Sequence, residues 1–235
     1  FDGNEYRTEN YVPSLFKQDA PIDTQDGRTG LIEVVYTRDM PKEAEGPFLK
    51  EERDLINTLA NIIEVYFNKK ATYDKAGEYY LRALEMAEAS ENLDAIGVSS
   101  VNLGEIYMER GDHPAALRFF EKALTALKKT GGNESFVYTN IGKSHRLRGR
   151  YEEALKYQQQ GFEKAKMKDD KLEMSIARNA IGDTYFAQNN FNQALENYLN
   201  AKDLGEEIGS RTLLKDTYEN IAKCYSALSD YRKAL

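Results

Sequence analysis

The chain has 235 residues, of which 41% are hydrophobic and 11% aromatic, and this is enough apolar material for one large or two small domains. Its formal net charge of −7 argues against a broad binding surface for nucleic acid or for an anionic membrane. The single cysteine, Cys224, excludes an intrachain disulfide and fits a reducing compartment such as the cytoplasm.

Residues 1–48 are predicted to form a small β-rich segment. The stretches EYRTENY, LFKQDAPI and TGLIEVVYT have strand-like composition, and DTQDGR between the last two is a hairpin signal. About three strands and one helix are too few for an independent core, so the segment is expected to pack on the following helices or on residues before Phe1. Because Phe1 falls inside a strand pattern and Leu235 inside a helix pattern, we expect a fragment of a longer protein.

A long helical pattern follows Gly46 and Pro47. Apolar residues at helical spacing predict a helix over residues 49–69. The stretch YDKAGEYYLRAL, which comes next, repeats the pattern of helices farther along the chain, so residues 49–90 are predicted to form one helix hairpin. The helix at 49–69 would then both end the small segment and open a helical array, which predicts a rigid connection without a flexible linker.

An internal repeat with a spacing of 38 to 40 residues runs through the rest of the chain. Two rows of small residues define it. The first row is Gly104, Gly142, Gly182 and Ala222, and the second is Ala116, Ala154, Ala194 and Ala234. Small side chains let two antiparallel helices approach closely, and RGD, RGR and QNN between them are turn signals. A hairpin that is apolar on two sides cannot bury both alone, so the pattern predicts stacked hairpins.

This pattern resembles the tetratricopeptide repeat over roughly residues 51–235. The resemblance implies a mainly α fold: a right-handed superhelical array of antiparallel helix hairpins, preceded by the small antiparallel β segment. The family's usual period is ~34 residues, so the longer spacing predicts helices about one turn longer. Hairpins are predicted at 49–90, 94–130, 134–169, 172–209 and, truncated, at 212–235. His145 and Gln158 stand where other repeats have aromatic rings, so the hairpin at 134–169 is expected to be the least regular.

The first 65 residues or so carry a second resemblance. The stretch GLIEVVYTRDMPKEAEGPFLKEERDLINTLANII joins a strand, an acidic loop, the sequence GPFLKEER and a helix. It is similar to the last part of the GAF-related modules of bacterial sensor histidine kinases. The opening half of such a module is absent from the sequence, so the resemblance implies a signalling context rather than a ligand.

No residue pattern indicates catalysis. His113 is expected in a turn and His145 at a core-facing repeat position, and two isolated imidazoles lack the clustered ligands of a metal site. Cys224 is expected to be a buried, unreactive thiol. The stretch KKTGGNE lacks the Gly-Lys-Ser/Thr ending of a phosphate loop and is interpreted as a loop between repeats. We therefore expect no enzyme activity, no metal and no cofactor in this segment.

The first helix of each hairpin is expected to line a concave groove. Three asparagines lie two residues before a small residue of the first row, and a carboxamide both donates and accepts hydrogen bonds. Such a row can bind the backbone of an extended peptide, as similar asparagines do by resemblance in the family, or equally tie neighbouring helices together. The predicted groove residues are Asn102, Glu105, Met108, Asn140, Lys143, Arg146, Asn179, Asp183, Phe186, Asn220 and Lys223. Lys143 and Arg146 are the only local basic cluster among them, so a clamp for a carboxylate terminus is not predicted.

Three functions remain open. The first is a non-catalytic interaction and regulatory segment of a cytoplasmic bacterial signalling protein, which binds a protein or peptide in the groove or forms a homodimer. The second is a peptide-sensing regulator whose superhelix compacts when a peptide binds. The third is an enzyme, which only the carboxylate-rich loop before residue 50 favours. Nucleic acid is not an expected partner, and no apolar run approaches the ~20 residues that membrane insertion needs.

Overall fold

A computed structural model describes residues 17–25, 27–35 and 50–234 of the chain. Within them lie two strands and eight helices, so the predicted mainly α fold with a small β segment is confirmed. The strand predicted over EYRTENY lies outside the described residues. No described helix is both long enough and apolar enough to cross a membrane.

The two strands form the predicted hairpin. Strand β1 (Lys17–Asp23) pairs antiparallel with β2 (Thr29–Val35), and Ala20 lies opposite Ile32. In the turn between the strands, Gly27 has a left-handed φ of 84°, which a side chain would strain. The turn signal in the sequence therefore has a direct conformational cause.

A single long helix, α1 (Lys50–Ala89), covers the strand pair. Ile56 and Ala60 on one face of α1 form a buried apolar cluster with Ala20 and Ile22 of β1. Two strands alone are marginally stable in water, so this contact accounts for the order of the hairpin.

Two of the predicted hairpins are wrong, because each is one continuous helix. One helix, α1, occupies the range 49–90, and another, α8 (Arg211–Ala234), occupies the range 212–235. At the repeat positions where the three other hairpins turn, at Gly111, Gly149 and Asn189, these two helices have Ala71 and Ser229. Thr72 Oγ1 instead bonds to the Asn68 carbonyl at 2.9 Å inside α1. With neither glycine nor asparagine at the turning position, both helices continue through it.

Contacts along the chain define two compact units, residues 1–76 and residues 77–235. The boundary lies inside α1. The first unit contains β1, β2 and the N-terminal part of α1, and the second contains the stacked hairpins.

Three antiparallel helix hairpins form close to the predicted ranges 94–130, 134–169 and 172–209. They pair α2 (Leu93–Glu109) with α3 (His113–Thr130), α4 (Ser135–Leu147) with α5 (Tyr151–Met167), and α6 (Lys171–Ala187) with α7 (Phe191–Glu207). The last helix, α8, packs against α7. Helices of about 17 residues agree with the lengthened repeat.

Each hairpin turns at a residue with positive φ, namely Gly111, Gly149 or Asn189. The next backbone N–H then reaches back to a carbonyl five positions earlier, as Asp112 does to Tyr107 at 2.9 Å. This bond satisfies a carbonyl at the end of the helix and closes the turn. The predicted turns at RGD, RGR and QNN are confirmed.

Glycines set how closely the two helices of a hairpin approach. Gly104 lies against the ring of Phe120, and Gly182 lies against the ring of Tyr198. A methyl group on Gly182 would sit 2.6 Å from Tyr198 Cε1, far inside the ~3.5–4.0 Å of an ordinary carbon contact. At these crossings only glycine fits.

The second hairpin is the least regular of the three. Its first helix, α4, has 13 residues where α2 and α6 have 17, and a loop that begins at Gly131 takes the place of the missing turn. Gln158 stands in the position of the ring and is fully buried. Thr184 Oγ1 donates a 2.8 Å hydrogen bond to Gln158 Oε1, so the polar replacement joins the second hairpin to the third.

The glycine contact predicts opposite effects for two Gly→Ala substitutions. Gly182→Ala should lower the free energy of unfolding by about 1–3 kcal/mol, because the new methyl group must displace the ring of Tyr198. Gly77→Ala, inside α1, meets no atom closer than 3.6 Å and should raise it by about 0.5–1 kcal/mol through better helix propensity. Denaturant titration followed by circular dichroism measures both, and a shift in the same direction for the two variants would contradict the steric account.

Candidate binding groove

One pocket of about 320 Å³ gathers side chains from four helices of the unit 77–235. It is lined by Arg146, Asp183, Phe186, Ala187, Tyr198, Asn220 and Lys223. Five of these seven are predicted groove residues, from α4, α6 and α8. Their meeting follows from the stacking, since equivalent positions on successive first helices lie side by side.

Asp183 lies at the centre of this pocket. The Tyr198 hydroxyl donates a 2.8 Å hydrogen bond to Asp183 Oδ1, and Asn220 Nδ2 lies 3.4 Å from the same oxygen. Arg146 Nη2 lies 3.9 Å from Asp183 Oδ2, and Lys223 Nζ donates to Asn220 Oδ1 at 3.3 Å. The carboxylate is therefore held by groups from α4, α7 and α8.

Burial is the main influence on the acid–base behaviour of this cluster. It raises the pKa of Asp183 above the ordinary value. The hydrogen bond from Tyr198 opposes this shift of the pKa, and so do the nearby cations Arg146, Lys143 and Lys223. Burial, and then the neighbouring carboxylate, also raise the pKa of Tyr198, which keeps its hydroxyl protonated and able to donate.

Charges of alternating sign follow one position through the four repeats. The row is Glu105, Lys143, Asp183 and Lys223. Burial raises the pKa of Glu105, and Lys143 acts against that shift. Lys143 acts on Asp183 in the same way, so it lies between a carboxylate on α2 and one on α6. A partner that crosses the first helices would meet both signs of charge, one repeat apart.

The predicted asparagines differ in what they bind. Asn179 Nδ2 donates a 2.8 Å hydrogen bond to Thr217 Oγ1 and ties α6 to α8, and Asn220 makes a second link between these helices. Asn102 Nδ2 donates to the Val98 carbonyl of its own helix at 2.8 Å. These hydrogen bonds support the alternative in which the asparagines stabilise the helices and their packing.

Two amide atoms on this surface are buried without a hydrogen-bond partner in the described part of the chain. They are Nδ2 of Asn140 and Oδ1 of Asn179, one donor and one acceptor. An unmatched buried polar atom costs about 1–3 kcal/mol. Rotation of the Asn140 amide toward a peptide backbone would remove that cost, whereas rotation of the Asn179 amide would break its hydrogen bond to Thr217. The binding role therefore keeps support at Asn140.

One predicted groove residue is wrongly placed, and two pocket residues, Ala187 and Tyr198, were missed. Met108 is only 6% exposed and packs in the core with Tyr138 and Ile141, so it does not line the groove. Phe186 does reach the pocket, and its ring lies edge-on to Phe191 at 5.2 Å. Tyr198 follows the ring pattern of the repeat, and that pattern gave no sign that its hydroxyl would reach the pocket.

His113, which was expected in a turn, is the first residue of α3, whereas His145 and the thiol lie in packed positions. The His145 ring stacks on Tyr157 at 5.3 Å, and burial lowers the pKa of His145. Cys224 is fully buried, as predicted, and burial followed by the Asp183 charge raises the pKa of this thiol. Among the described residues, no three His, Cys, Asp or Glu side chains are grouped as ligands for a metal ion. The pocket offers hydrogen bonds and charge for binding.

Comparison with known proteins agrees with this architecture. A family model described as tetratricopeptide repeat matches residues 54–129, 95–167 and 172–235, which together are most of the chain. No curated protein matches the sequence.

Two solved structures share the fold at low sequence identity. BtubC (BKLC) from P. vanneervenii has a TM-score of 0.60 and 20% identity, and the match covers 77% of this chain and 78% of that one. A Rap protein complexed with competence and sporulation factor has a TM-score of 0.61 and 17% identity, with 72% of this chain covered. This chain spans about half of the Rap protein, 48% of its length.

Removing the Tyr198 hydroxyl is predicted to shift the titration of Asp183. Tyr198→Phe should move the pKa of Asp183 further upward, because the hydrogen bond favours the ionised carboxylate. It should also lower the free energy of unfolding by about 1–2 kcal/mol at pH 7 and by less at acidic pH, where the carboxyl group is neutral. A pH titration of the side-chain carboxyl carbon by NMR measures the first effect. Tyr218→Phe removes a hydroxyl that bonds to Glu206 instead, and an equal shift in that variant would contradict the assignment.

Proposed function

Because the chain belongs to the tetratricopeptide repeat family, we propose that it is a non-catalytic segment that binds a protein or peptide in the groove of α4, α6 and α8. The partner would lie extended across these helices. The setting we propose is a cytoplasmic bacterial signalling protein, and its only support is the GAF-related resemblance of the first 65 residues or so. A helix that is continuous from the β segment onward, α1, agrees with mechanical coupling in such a protein.

The observation that carries the binding proposal is the open polar pocket around Asp183. Polar side chains from successive repeats meet there, yet they leave a cavity of about 320 Å³. A polar cluster that served stability alone would be more stable if the cavity closed, because its hydrogen bonds strengthen when water is excluded. An open cluster at the centre of the groove favours a ligand as the missing partner.

The charges of the pocket favour an acidic group on the partner. Two cations, Arg146 and Lys223, line the pocket with the single carboxylate Asp183, and Lys143 acts on that carboxylate from outside the lining. The pocket therefore carries an excess of positive charge within a chain whose formal net charge is −7. An aspartate or glutamate side chain of a bound peptide would be drawn to it, while the unmatched amide nitrogen of Asn140 would donate to the peptide backbone.

The alternative function is a peptide sensor whose helical array compacts on binding. The repeats are joined by a few side-chain hydrogen bonds, such as Thr184 with Gln158 and Asn179 with Thr217, as well as by apolar contacts, and a sensor would shift these contacts as it compacts. The Rap protein of similar fold was solved with competence and sporulation factor, which makes a bound factor worth testing here. Small-angle X-ray scattering separates the two functions. The radius of gyration of a sensor should decrease on binding, and that of a segment that only binds its partner should not change.

The binding test uses displayed random peptides selected on the immobilised chain. We expect the selected sequences to contain acidic residues. Calorimetry with one selected peptide should show at least about tenfold weaker binding to Arg146→Ala/Lys223→Ala than to wild type, since about 1.4 kcal/mol of charge contact would be lost.

The control is Arg148→Ala/Lys215→Ala. It removes the same charge from two exposed residues, one that caps α4 and one on α8, both outside the pocket lining. Its affinity should equal that of wild type. Equal binding by all three proteins would place the peptide elsewhere and reject the groove, and peptides without acidic residues would reject the charge argument.

A further inference from the structure

Helix α1 is apolar on two neighbouring faces. The face with Ile56, Ala60 and Ile63 packs on the strand pair. A helix that packs on one partner needs one apolar stripe. The N-terminal half of α1 has a second stripe, displaced by one residue at each step, and the strand pair does not cover it.

The second stripe is exposed and regularly spaced. It consists of Leu55, Leu59, Ile62 and Tyr66, which are 60%, 42%, 59% and 61% exposed, and we call it the α1 seam. The steps between these residues are four, three and four. Over residues 55–66 this matches the 3.5-residue period of a coiled coil, in which alternate steps of three and four keep one seam facing a second helix, and the apolar seam ends before Lys69, the next position.

We propose that the α1 seam pairs with the α1 seam of a second copy of this chain. A second copy brings the same spacing, so the two seams match along their length under two-fold symmetry, the commonest symmetry of soluble oligomers. This interface is separate from the groove and lies wholly in the unit 1–76.

Charge along α1 permits this self-pairing. From Leu55 to Tyr66 the only charged residue is Glu64. In the heptad that the seam defines, Glu64 takes the position farthest from the partner helix, and the seam is flanked by the uncharged Thr58 and Val65. A chain with a formal net charge of −7 can therefore meet itself here without like charges in contact.

The exposed apolar area of the α1 seam is large enough for an interaction site. Five side chains, the seam and Val65, each expose on the order of 100 Å², which gives roughly 500 Å² per chain. A contiguous apolar patch of that size on a monomer commonly marks an interaction site. Stable interfaces bury ~800 Å² per partner, and the polar residues beside the seam would supply the rest.

Sedimentation equilibrium of the whole chain tests the proposal. Wild type should be a dimer at micromolar concentration, and Leu59→Lys/Ile62→Lys should weaken dimerisation at least tenfold. Both residues are exposed, so the circular dichroism spectrum should not change. If the lysines do disturb the fold, Leu59→Ala/Ile62→Ala should still raise the dissociation constant several-fold.

The matched control is Val98→Lys/Leu172→Lys, which changes two aliphatic residues with similar exposure, 60% and 46%, on α2 and α6. It should dimerise as wild type does. A wild-type monomer at these concentrations would overturn the proposal, because the seam would then serve another partner. A dimer that the seam variants do not weaken, or that the control weakens equally, would also overturn it.

Discussion

The close approach of two helices at a glycine is the contact on which the array depends. Gly104 against Phe120 and Gly182 against Tyr198 fix both the separation and the register of their hairpins, because no side chain larger than hydrogen fits. Once the register is fixed in each hairpin, equivalent positions on successive first helices lie beside one another. The groove is thus a consequence of packing, and its charges repeat at the spacing of the hairpins.

Tyr198 joins this packing to the chemistry of the pocket. Its ring fills the space beside Gly182, and its hydroxyl bonds to Asp183. The equivalent residues in the other hairpins, Phe120 and Gln158, cannot do both: phenylalanine has no hydroxyl, and the glutamine amide turns to Thr184. This difference explains why the polar pocket forms at the third hairpin. A change in how that hairpin packs would also move the group that holds the carboxylate.

Sequence periodicity predicted most of this arrangement. It failed where local surroundings decide whether a side chain is buried or whether the chain turns. Met108, Arg146 and Phe186 share one repeat position, but Met108 is buried in the core whereas Arg146 and Phe186 line the pocket. A flexible apolar methionine follows apolar neighbours into the core, whereas an arginine keeps its charge at the surface. The continuous helices α1 and α8 were missed for another reason: the repeat pattern indicates where a turn is expected, but Ala71 and Ser229 stand there, where the three hairpins have glycine or asparagine.

The two continuous helices, α1 and α8, both expose apolar side chains to solvent, but the exposed residues differ in their spacing. On α8, Ala222 and Tyr225 are exposed. They take the positions of the small residue and the ring that face the second helix in the other hairpins. On α1, the exposed residues from Leu55 to Tyr66 have the coiled-coil spacing and no small residue among them. Exposed area alone would make both helices equal candidates for self-association. The spacing separates them, since large residues at alternate steps of three and four suit an identical helix, whereas a small residue beside a ring suits a close antiparallel neighbour.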